Sequence, residues 1–159
     1  MNEITLRPFK DEDMPMLAIW LEKQHIRKWY QNPEDWLLEV TERNNTYAWL
    51  HHFIVMNEAI AIGFCQYYDC YDARELETWY TVHEPGETFS IDYLIGNEWD
   101  IGKGYGKEIV RLLTERIANQ EKGQRIVVQP EKENTASNKV LEWNNYVYDD
   151  EKKYYVIQL

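Results

Sequence analysis

The spacing of hydrophobic residues along the chain follows two regular patterns. In some segments apolar and polar residues alternate with a period of two, or form short apolar runs bounded by turn residues, which predicts β-strands. The predicted strands cover residues 3–9, 47–56, 59–70, 88–96, 124–129, 146–150 and 153–159. In other segments the apolar residues recur every three or four positions, which predicts helices. The predicted helices cover residues 11–24, 32–45, 104–119 and 134–145.

The first two predicted helices carry start signals. In the first, acids fill the first turn, and Met16, Ile19 and Trp20 are expected to form one apolar face. In the second, Asn32 precedes Pro33, so the Asn32 side chain is expected to cap the free N–H groups of the first turn. The order of elements, β-α-α-β-β-β-α-β-α-β-β, predicts an α/β or α+β domain with helices on a mixed sheet.

Length and composition favour a single domain over residues 1–159. With 159 residues, 44% of them hydrophobic, the chain can form one core and is too short for two ordinary domains. No stretch approaches the roughly 20 apolar residues that cross a bilayer, and acids occupy the N-terminus where a signal peptide is basic and then apolar. We therefore expect a cytoplasmic protein that does not enter a membrane. The sequence does not indicate an oligomeric state.

Charge and metal-ligand spacing argue against two classes of function. The formal net charge of −11 opposes binding to nucleic acid and favours cationic ligands. Cys65 and Cys70 match no zinc signature, and the four histidines show no ligand spacing. We therefore predict neither a nucleic-acid partner nor a metal site. His51 and His52 are adjacent in a predicted strand, so they are expected on its opposite faces.

Aromatic residues are frequent and often lie beside acids. The chain has 7 Trp and 12 Tyr, many of them within acidic stretches such as QYYDCYDARELETWY. Such residues are commonly large core side chains. Rings grouped with carboxylates also bind amines and sugars through stacking and cation–π contact, so both interpretations stay open.

Residues 101–107, IGKGYGK, hold three of the seven glycines at the start of a predicted helix. Glycine at this density indicates positive φ angles or a backbone that another group approaches closely. A strand–turn–helix arrangement also directs unpaired N–H groups and the positive end of the helix dipole to one point, which favours an anion site, although an ordinary turn would use glycine too. The residues around Lys107 fit neither the P-loop nor the dinucleotide motif.

Asp92 is the one acid of a predicted central strand, between FSI and YLI. A carboxylate in that position is costly unless it is paired or functional. It suits a group that holds an ammonium ion and accepts its proton, which an amine must lose before it attacks a carbonyl. A structural carboxylate satisfied by its neighbours is the alternative.

The glycine stretch resembles the acetyl-CoA loop of the GCN5-related N-acetyltransferase (GNAT) superfamily, which reads Arg or Gln, two residues, Gly, one residue, Gly or Ala. The pattern falls on Ile101, Gly104 and Gly106, with Ile101 in place of Arg or Gln. Residues 124–148 resemble the fifth strand, the following helix and the sixth strand of that fold, with Leu141 where many members have a tyrosine that protonates the departing thiolate. The resemblance implies a GNAT fold, with a mixed, mostly antiparallel sheet of six to seven strands, splayed at strands 4 and 5, and helices on both faces.

Acetyl-CoA is the cofactor that this resemblance implies. Its pantetheine is expected to pair with the backbone of Leu94 and Ile95 and to meet Asn134, and its pyrophosphate is expected on the amides of the glycine stretch. A backbone N–H near Leu94 would stabilise the oxyanion. The predicted cofactor-binding residues are Tyr93, Leu94, Ile95, Ile101, Gly102, Lys103, Gly104, Tyr105, Gly106, Lys107 and Asn134.

Within the superfamily, nearly the whole chain resembles the aminoglycoside 6′-N-acetyltransferases. HIRKWY resembles their His-x-x-x-Trp-Trp element, ELETWY their acid-x-Trp-Trp loop, and SIDYLIGNEWDIGKGYG their Ile-Asp and glycine run. The resemblance implies acetyl transfer to a primary amine of a polycationic small molecule by direct attack on the thioester, with Asp92 and Glu77 as the catalytic carboxylates that hold the amine and accept its proton. The predicted substrate-binding residues are His25, Trp29, Tyr30, Tyr67, Asp69, Trp79 and Gln129, the last in place of an Asp in those enzymes.

Several alternatives remain at this point. Glu77 is equally explained as a solvated loop acid, and His25 with Trp29 as a structural pair. The acceptor amine could instead belong to a protein N-terminus. Because Ile101 and Leu141 depart from the family pattern, a non-catalytic module that binds acetyl-CoA or an aminoglycoside is also compatible with the sequence.

Overall fold

Seven strands form one mixed sheet in the computed structural model, which describes residues 3–159. In chain order they are β1 (Ile4–Pro8), β2 (Leu50–Asn57), β3 (Ile60–Asp69), β4 (Thr88–Ile95), β5 (Arg125–Val128), β6 (Val147–Asp149) and β7 (Tyr154–Gln158). Their spatial order is β1-β2-β3-β4-β5-β7-β6, and the β4–β5 pair is parallel while the other neighbouring pairs are antiparallel. The predicted strands and the predicted sheet class are confirmed.

Within residues 3–159, five α-helices accompany the sheet. They are α1 (Met14–Glu22), α2 (Gln24–Arg27), α3 (Pro33–Thr41), α4 (Tyr105–Arg116) and α5 (Thr135–Trp143). A π-helical segment, Ile117–Glu121, extends α4. The loop of residues 71–87 contains a helical turn, since the N–H groups of Leu76 and Glu77 both donate to the Ala73 carbonyl.

The sheet buries a hydrophobic core on each face, which confirms that helices lie on both sides. On the face called here the α4 face, Tyr67 and Phe89 of the sheet pack with Leu113 of α4. On the other, called the α1 face, Phe64 and Leu94 pack with residues of α1, α2 and α3. Successive strand residues alternate between these faces. His51 stacks on Tyr67 and His52 on Phe64, so the two histidines lie on opposite faces, as predicted.

Two details of the first helices differ from the predictions. Ile19 is 62% exposed, and α1 instead buries Leu17, Trp20 and Leu21. Nearly every position of α1 is apolar, so spacing alone did not identify the buried face. Asn32 precedes α3 as expected, but its backbone is left-handed, with φ of 59°, and its side chain caps none of the described N–H groups. Capping by a side chain requires an extended backbone at that position.

Strands β4 and β5 separate soon after they begin. Their pairing is limited, over the residues described, to Thr88 with Arg125 and Phe89 with Ile126. Beyond that point residues 90–95 of β4 continue beside β3 alone. The predicted splay at strands 4 and 5 is therefore confirmed, and it leaves a gap in the middle of the sheet.

Candidate functional site

A cavity of about 620 Å³ opens beside this gap. Its walls come from α3, β3, the 71–87 loop, β4, the segment after β5 and the start of α5. The predicted site residues that line it are Trp29, Tyr30, Glu77, Trp79, Asp92, Tyr93, Gln129 and Asn134. The sheet thus brings together residues that are up to about a hundred positions apart in the chain, because the splay of two central strands makes room between them.

Asp92 lies in the wall of this cavity on the α1 face. Gln66 Nε2 donates a hydrogen bond of 2.9 Å to Asp92 Oδ2. Burial raises the pKa of Asp92 to about 7; the Gln66 hydrogen bond acts against this rise, and the charge of Glu77 adds to it. A carboxyl group with a pKa near 7 is populated in both protonation states at neutral pH, so it can accept and release a proton there.

Further carboxylates surround the same cavity. Glu39 of α3 lines it, and burial raises the pKa of Glu39 to about 7, with contributions from the charges of Asp92, Asp35 and Glu77. Glu77 is held in place by Trp79, whose indole N–H donates to Glu77 Oε2 at 3.1 Å. The five acids that line this cavity, Asp35, Glu39, Glu77, Asp92 and Glu131, produce a negative potential that attracts cations. Asp35 and Glu39 were absent from the sequence prediction, although their i, i+4 spacing places them on one face of α3.

Aromatic rings form much of the remaining wall. Tyr30 packs edge-to-face on Trp36 with ring centroids 5.0 Å apart, and Trp49 packs edge-to-face on Tyr68 at 5.8 Å. Trp36, Trp49, Tyr47 and Tyr68 line the cavity together with the predicted rings. Such rings stack on sugars and attract ammonium groups. The period of two along β3 could have indicated Tyr68 and Gln66, which share a face opposite Tyr67.

The backbone of β4 presents alternate residues to the gap. Thr88 O accepts from Cys70 N–H and Gly96 N–H donates to Ile62 O, so the even-numbered residues of β4 direct their backbone groups to β3. The backbone groups of Leu94 are therefore directed away from the gap, so its predicted pairing with a cofactor is not supported by its position. The odd-numbered Tyr93 and Ile95 face the gap instead.

Two side chains already bind the carbonyls on this edge. The Tyr30 hydroxyl donates to Tyr93 O at 2.5 Å, and His25 Nε2 lies 2.9 Å from Ile95 O. Because a carbonyl oxygen only accepts, His25 carries its proton on Nε2 in this contact. The N–H groups of Tyr93 and Ile95 are the backbone donors that remain on the gap side of β4.

The glycines of residues 101–107 show both predicted features, positive φ angles and the close approach of another group. Gly102 and Gly104 have φ of 83° and 85°, and Gly104 directly precedes α4. Gly106 is buried, and a Cβ atom there would lie 3.3 Å from the Tyr93 ring and 3.4 Å from Val140. The first-turn amides of α4 have no partner within the helix, so they point at the loop as donors for an anion.

Side chains near this loop divide between surface and interior. Ile101, Lys103 and Lys107 are exposed at the loop, whereas Tyr105 is buried. The Tyr105 hydroxyl accepts a hydrogen bond of 3.1 Å from Asn57 Nδ2. At Tyr105, therefore, only the backbone is available to a ligand at this loop.

Three predicted substrate-binding residues do not reach the cavity. Tyr67 is 3% exposed in the core of the α4 face, where its hydroxyl donates to Glu121, because strand alternation turns it away from Gln66. Asp69 accepts from the N–H groups of residues 71 and 86, at 3.0 Å and 2.7 Å, and so holds the loop. His25 binds Ile95 O instead. For these three residues the substrate-contact prediction is not supported by their positions.

Helix α5 contributes a cap and an apolar side chain. Asn134 Oδ1 accepts from Ser137 N–H at 3.2 Å, which caps the helix. Burial raises the pKa of Tyr93, and the Ser137 side chain opposes that rise. Leu141 lines the cavity and is 1% exposed, so this position supplies no proton. Gln129 lies at the exposed rim, where its Nε2 donates to Lys153 O at 2.8 Å.

Residues 3–159 contain no group of three or more His, Cys, Asp or Glu side chains that could hold a metal ion. Over the same range, each helix is too short or too polar to cross a bilayer.

Known proteins resemble this chain in sequence. The family model described as "Acetyltransferase (GNAT) domain" matches residues 10–153. Relatives from Klebsiella pneumoniae and Serratia marcescens, both named aminoglycoside N(6')-acetyltransferase type 1, are 29% identical over 139 residues, covering 84% of this chain and 68% of theirs.

Two solved structures of aminoglycoside acetyltransferase AAC(6')-Ib are similar over almost the whole chain. The complex with coenzyme A has a TM-score of 0.80 and 26% identity, covering 98% of this chain and 95% of that one. The complex with paromomycin and acetyl-CoA has a TM-score of 0.81 and 26% identity, covering 99% and 94%. From its splayed sheet, its glycine loop and the family match over residues 10–153, the chain belongs to the acetyltransferase (GNAT) domain family.

Proposed function

We propose that this chain is an acetyl-CoA-dependent N-acetyltransferase whose acceptor is a primary amine of a polycationic small molecule, namely the 6′-amine of an aminoglycoside. The observation that carries the proposal is the position of Asp92, a proton acceptor with a pKa near 7, in an acidic and aromatic cavity beside the splayed strands. The similar AAC(6')-Ib structures, which hold coenzyme A, acetyl-CoA and an aminoglycoside, support it.

The residues present fit acetyl-CoA. First-turn amides of α4, which have no partner within the helix and follow the left-handed backbone of Gly102 and Gly104, would hold the pyrophosphate. One of the N–H groups of Tyr93 and Ile95 would bind the pantetheine as an added strand binds a sheet edge, and the other stays available. Acetyl-CoA supplies an activated acetyl group as a thioester.

The acidic cavity would bind and deprotonate the acceptor. Glu39 and Glu77 hold ammonium groups of the substrate, and Asp92 takes one proton from the reacting amine, directly or through water. The neutral amine would then attack the thioester carbonyl, so that a C–N bond forms, the C–S bond breaks, and the nitrogen releases its second proton to water. An N–H group of Tyr93 or Ile95 faces the gap and would stabilise the oxyanion. Because Leu141 carries no acidic proton, water or another group protonates the departing thiolate.

The cavity distinguishes this function from two others, acetylation of a protein N-terminus and binding without catalysis. A protein N-terminus brings a single positive charge, whereas Asp35, Glu39, Glu77 and Asp92 together match several. A non-catalytic binding module would not require a carboxyl group tuned to about pH 7 in its cavity. Both observations favour the polycationic acceptor and turnover.

Release of free thiol from acetyl-CoA tests the proposal. The full-length chain is assayed with kanamycin-type aminoglycosides, linear polyamines and peptides with a free N-terminus. The matched control is an aminoglycoside that carries a hydroxyl group in place of the 6′-amine. We expect turnover with the 6′-amine compounds and not with this control. Binding of acetyl-CoA without thiol release would identify a binding module, and turnover of peptides alone would identify a protein acetyltransferase.

The proposal extends to the domain organisation, location and partners of the protein. We propose that residues 1–159 act as one domain with no nucleic-acid or membrane partner, given the net charge of −11. We also propose a cytoplasmic location, because Cys65 and Cys70 are free and buried thiols. Fluorescence microscopy of the tagged chain in its own host tests the location.

A further inference from the structure

Three polar side chains lie side by side across three neighbouring strands on the α1 face. His52 of β2 is paired with Gln66 of β3, and Gln66 is paired with Asp92 of β4. Paired residues on adjacent strands point to the same face, so these side chains form one row. Gln66 and Asp92 line the cavity, and His52 lies one strand further from it.

The row is buried among apolar side chains. His52 is 7% exposed and Gln66 is 3% exposed, and the His52 ring stacks on Phe64 with the ring centroids 5.6 Å apart. A buried amide or imidazole is unfavourable unless its polar atoms find partners. Packing alone would be served better by apolar residues, so the polar row needs another explanation.

The unpaired atoms of the row are complementary. Gln66 Nε2 donates to Asp92, but Gln66 Oε1 and both ring nitrogens of His52 are buried without a partner among the residues that the structure describes. An amide oxygen requires a donor, and a neutral imidazole carries one N–H. Burial lowers the pKa of His52 to about 4, the charge of Arg43 adds to this, and the Gln66 side chain opposes it. The imidazole is therefore neutral near pH 7 and has one N–H to donate.

We propose that His52 is a positioning residue for Asp92: its imidazole N–H holds Gln66 Oε1, which keeps Nε2 of the same amide turned toward the Asp92 carboxylate. The two residues are paired across β2 and β3, so their side chains are adjacent on one face of the sheet. If the amide turned over, its oxygen would face the carboxylate without a proton between them. His52 would thus support the one hydrogen bond that lowers the pKa of Asp92 against the effect of burial.

This inference rests on the proposed function only for its catalytic meaning, since the row itself can be tested without substrate. The surroundings of the row must stay constant in such a test. Its charged and titratable neighbours are Tyr30, Glu39, Arg43, His51, Tyr68, Cys70 and Glu77, with Asp35 beside Glu39. Gln66→Leu and His52→Phe leave all of these residues in place, so a change in the pKa of Asp92 reports a change in its hydrogen bond with the Gln66 amide.

The experiment follows the side-chain carboxyl carbon of Asp92 by NMR across a pH titration of the ligand-free, full-length chain. Asp92→Asn assigns the signal. Gln66→Leu is expected to raise the pKa of Asp92, and His52→Phe to raise it by on the order of half a unit, roughly a threefold change in proton affinity. The double variant is expected to match Gln66→Leu alone, because His52 acts through that amide. His51→Phe, on the opposite face, is the control and should leave the titration unchanged.

Two results would overturn the proposal: an unchanged Asp92 titration in His52→Phe, or an effect of His52→Phe that adds fully to that of Gln66→Leu. His52→Gln retains a hydrogen-bond donor at this position. The pKa of Asp92 should therefore lie closer to the wild-type value in His52→Gln than in His52→Phe. If His52→Phe fails to fold, the imidazole nitrogen shifts of His52 decide, since they should change in Gln66→Leu; unchanged shifts would refute the contact. A wild-type chain without acetyl transfer would refute the proposed function, and the titration would still test His52.

Discussion

Glu39 of α3 and Asp92 of β4 share one electrostatic environment: burial and then the charge of Asp92 raise the pKa of Glu39 to about 7. The two acids lie far apart in the chain and meet only because α3 packs over the α1 face beside β4. Folding therefore brings negative charges together at a cost that is recovered when a cation binds between them.

Asp92→Asn is expected to stabilise the protein at about pH 8 and to have little effect near pH 4. The pKa of Asp92 rises from 3.8 to about 7 on folding, so its contribution to stability is complete below the lower value and is lost as the pH rises through the upper one. Asn stays neutral and its oxygen can still accept from Gln66. The full shift corresponds to at most about 4 kcal/mol, and the partial exposure of Asp92 reduces this to roughly 1–3 kcal/mol.

Chemical denaturation at the two pH values measures this difference. The control is Asp150→Asn, which neutralises an exposed acid at the far edge of the sheet and should change the free energy of unfolding by less than about 0.5 kcal/mol at either pH. A gain from Asp92→Asn that is equal at both pH values would contradict the linkage between folding and the titration of Asp92.

The same substitution is expected to lower turnover. Loss of a general base reduces kcat by roughly 10²–10⁴, so Asp92→Asn should fall in that range with a saturating 6′-amine substrate. The thiol-release assay gives kcat and KM separately. The pH dependence of kcat/KM in the wild type should show an acid limb near pH 7, the pKa of Asp92, because the proton acceptor must be ionised. Near-normal turnover in Asp92→Asn would remove this residue from the role.

Glu39→Gln is expected to act on substrate binding more than on turnover. Glu39 lines the cavity but lies on α3, and not on β4 with the proton acceptor Asp92. Loss of its charge should therefore raise KM for a polycationic amine several-fold and leave kcat within about threefold. Glu34→Gln is the matched control, since Glu34 also lies on α3 but is exposed and outside the cavity lining. Equal KM values for the two variants would show that general surface charge, and not the cavity, attracts the substrate.

The regular elements could be predicted from sequence because period and turn residues determine them locally. Asp92 was found for a similar reason, since a lone acid in a central apolar strand is conspicuous. Tyr67 was assigned to the site because it is an aromatic residue near acids, but the period of two along β3 turns it to the other core. Composition indicated that acids and aromatic residues form the site. Strand alternation determines which of these side chains reach the cavity.

Contacts between distant segments could not be predicted in this way. The pairing of His52 with Gln66 and Asp92 depends on the register of three strands, which the sequence does not specify by itself. The orientation of Leu94 depends on the same register. Likewise, Asp35 and Glu39 reach the cavity only through the packing of α3 on the sheet. The single-domain organisation over residues 1–159 stays a prediction.

Gly102→Val is expected to weaken acetyl-CoA binding by at least tenfold, measured by calorimetry. Gly102 has φ of 83°, so a β-branched residue would force the loop that precedes α4 into another conformation and displace the amides that bind the pyrophosphate. Gly86→Val is a closely matched control, because its φ is 81° and a Cβ atom at either glycine meets no described atom within 4 Å. Both variants should lose similar stability, on the order of 1–2 kcal/mol, from the left-handed backbone. Equal acetyl-CoA affinity in the two variants would show that the loop at residue 102 does not hold the cofactor.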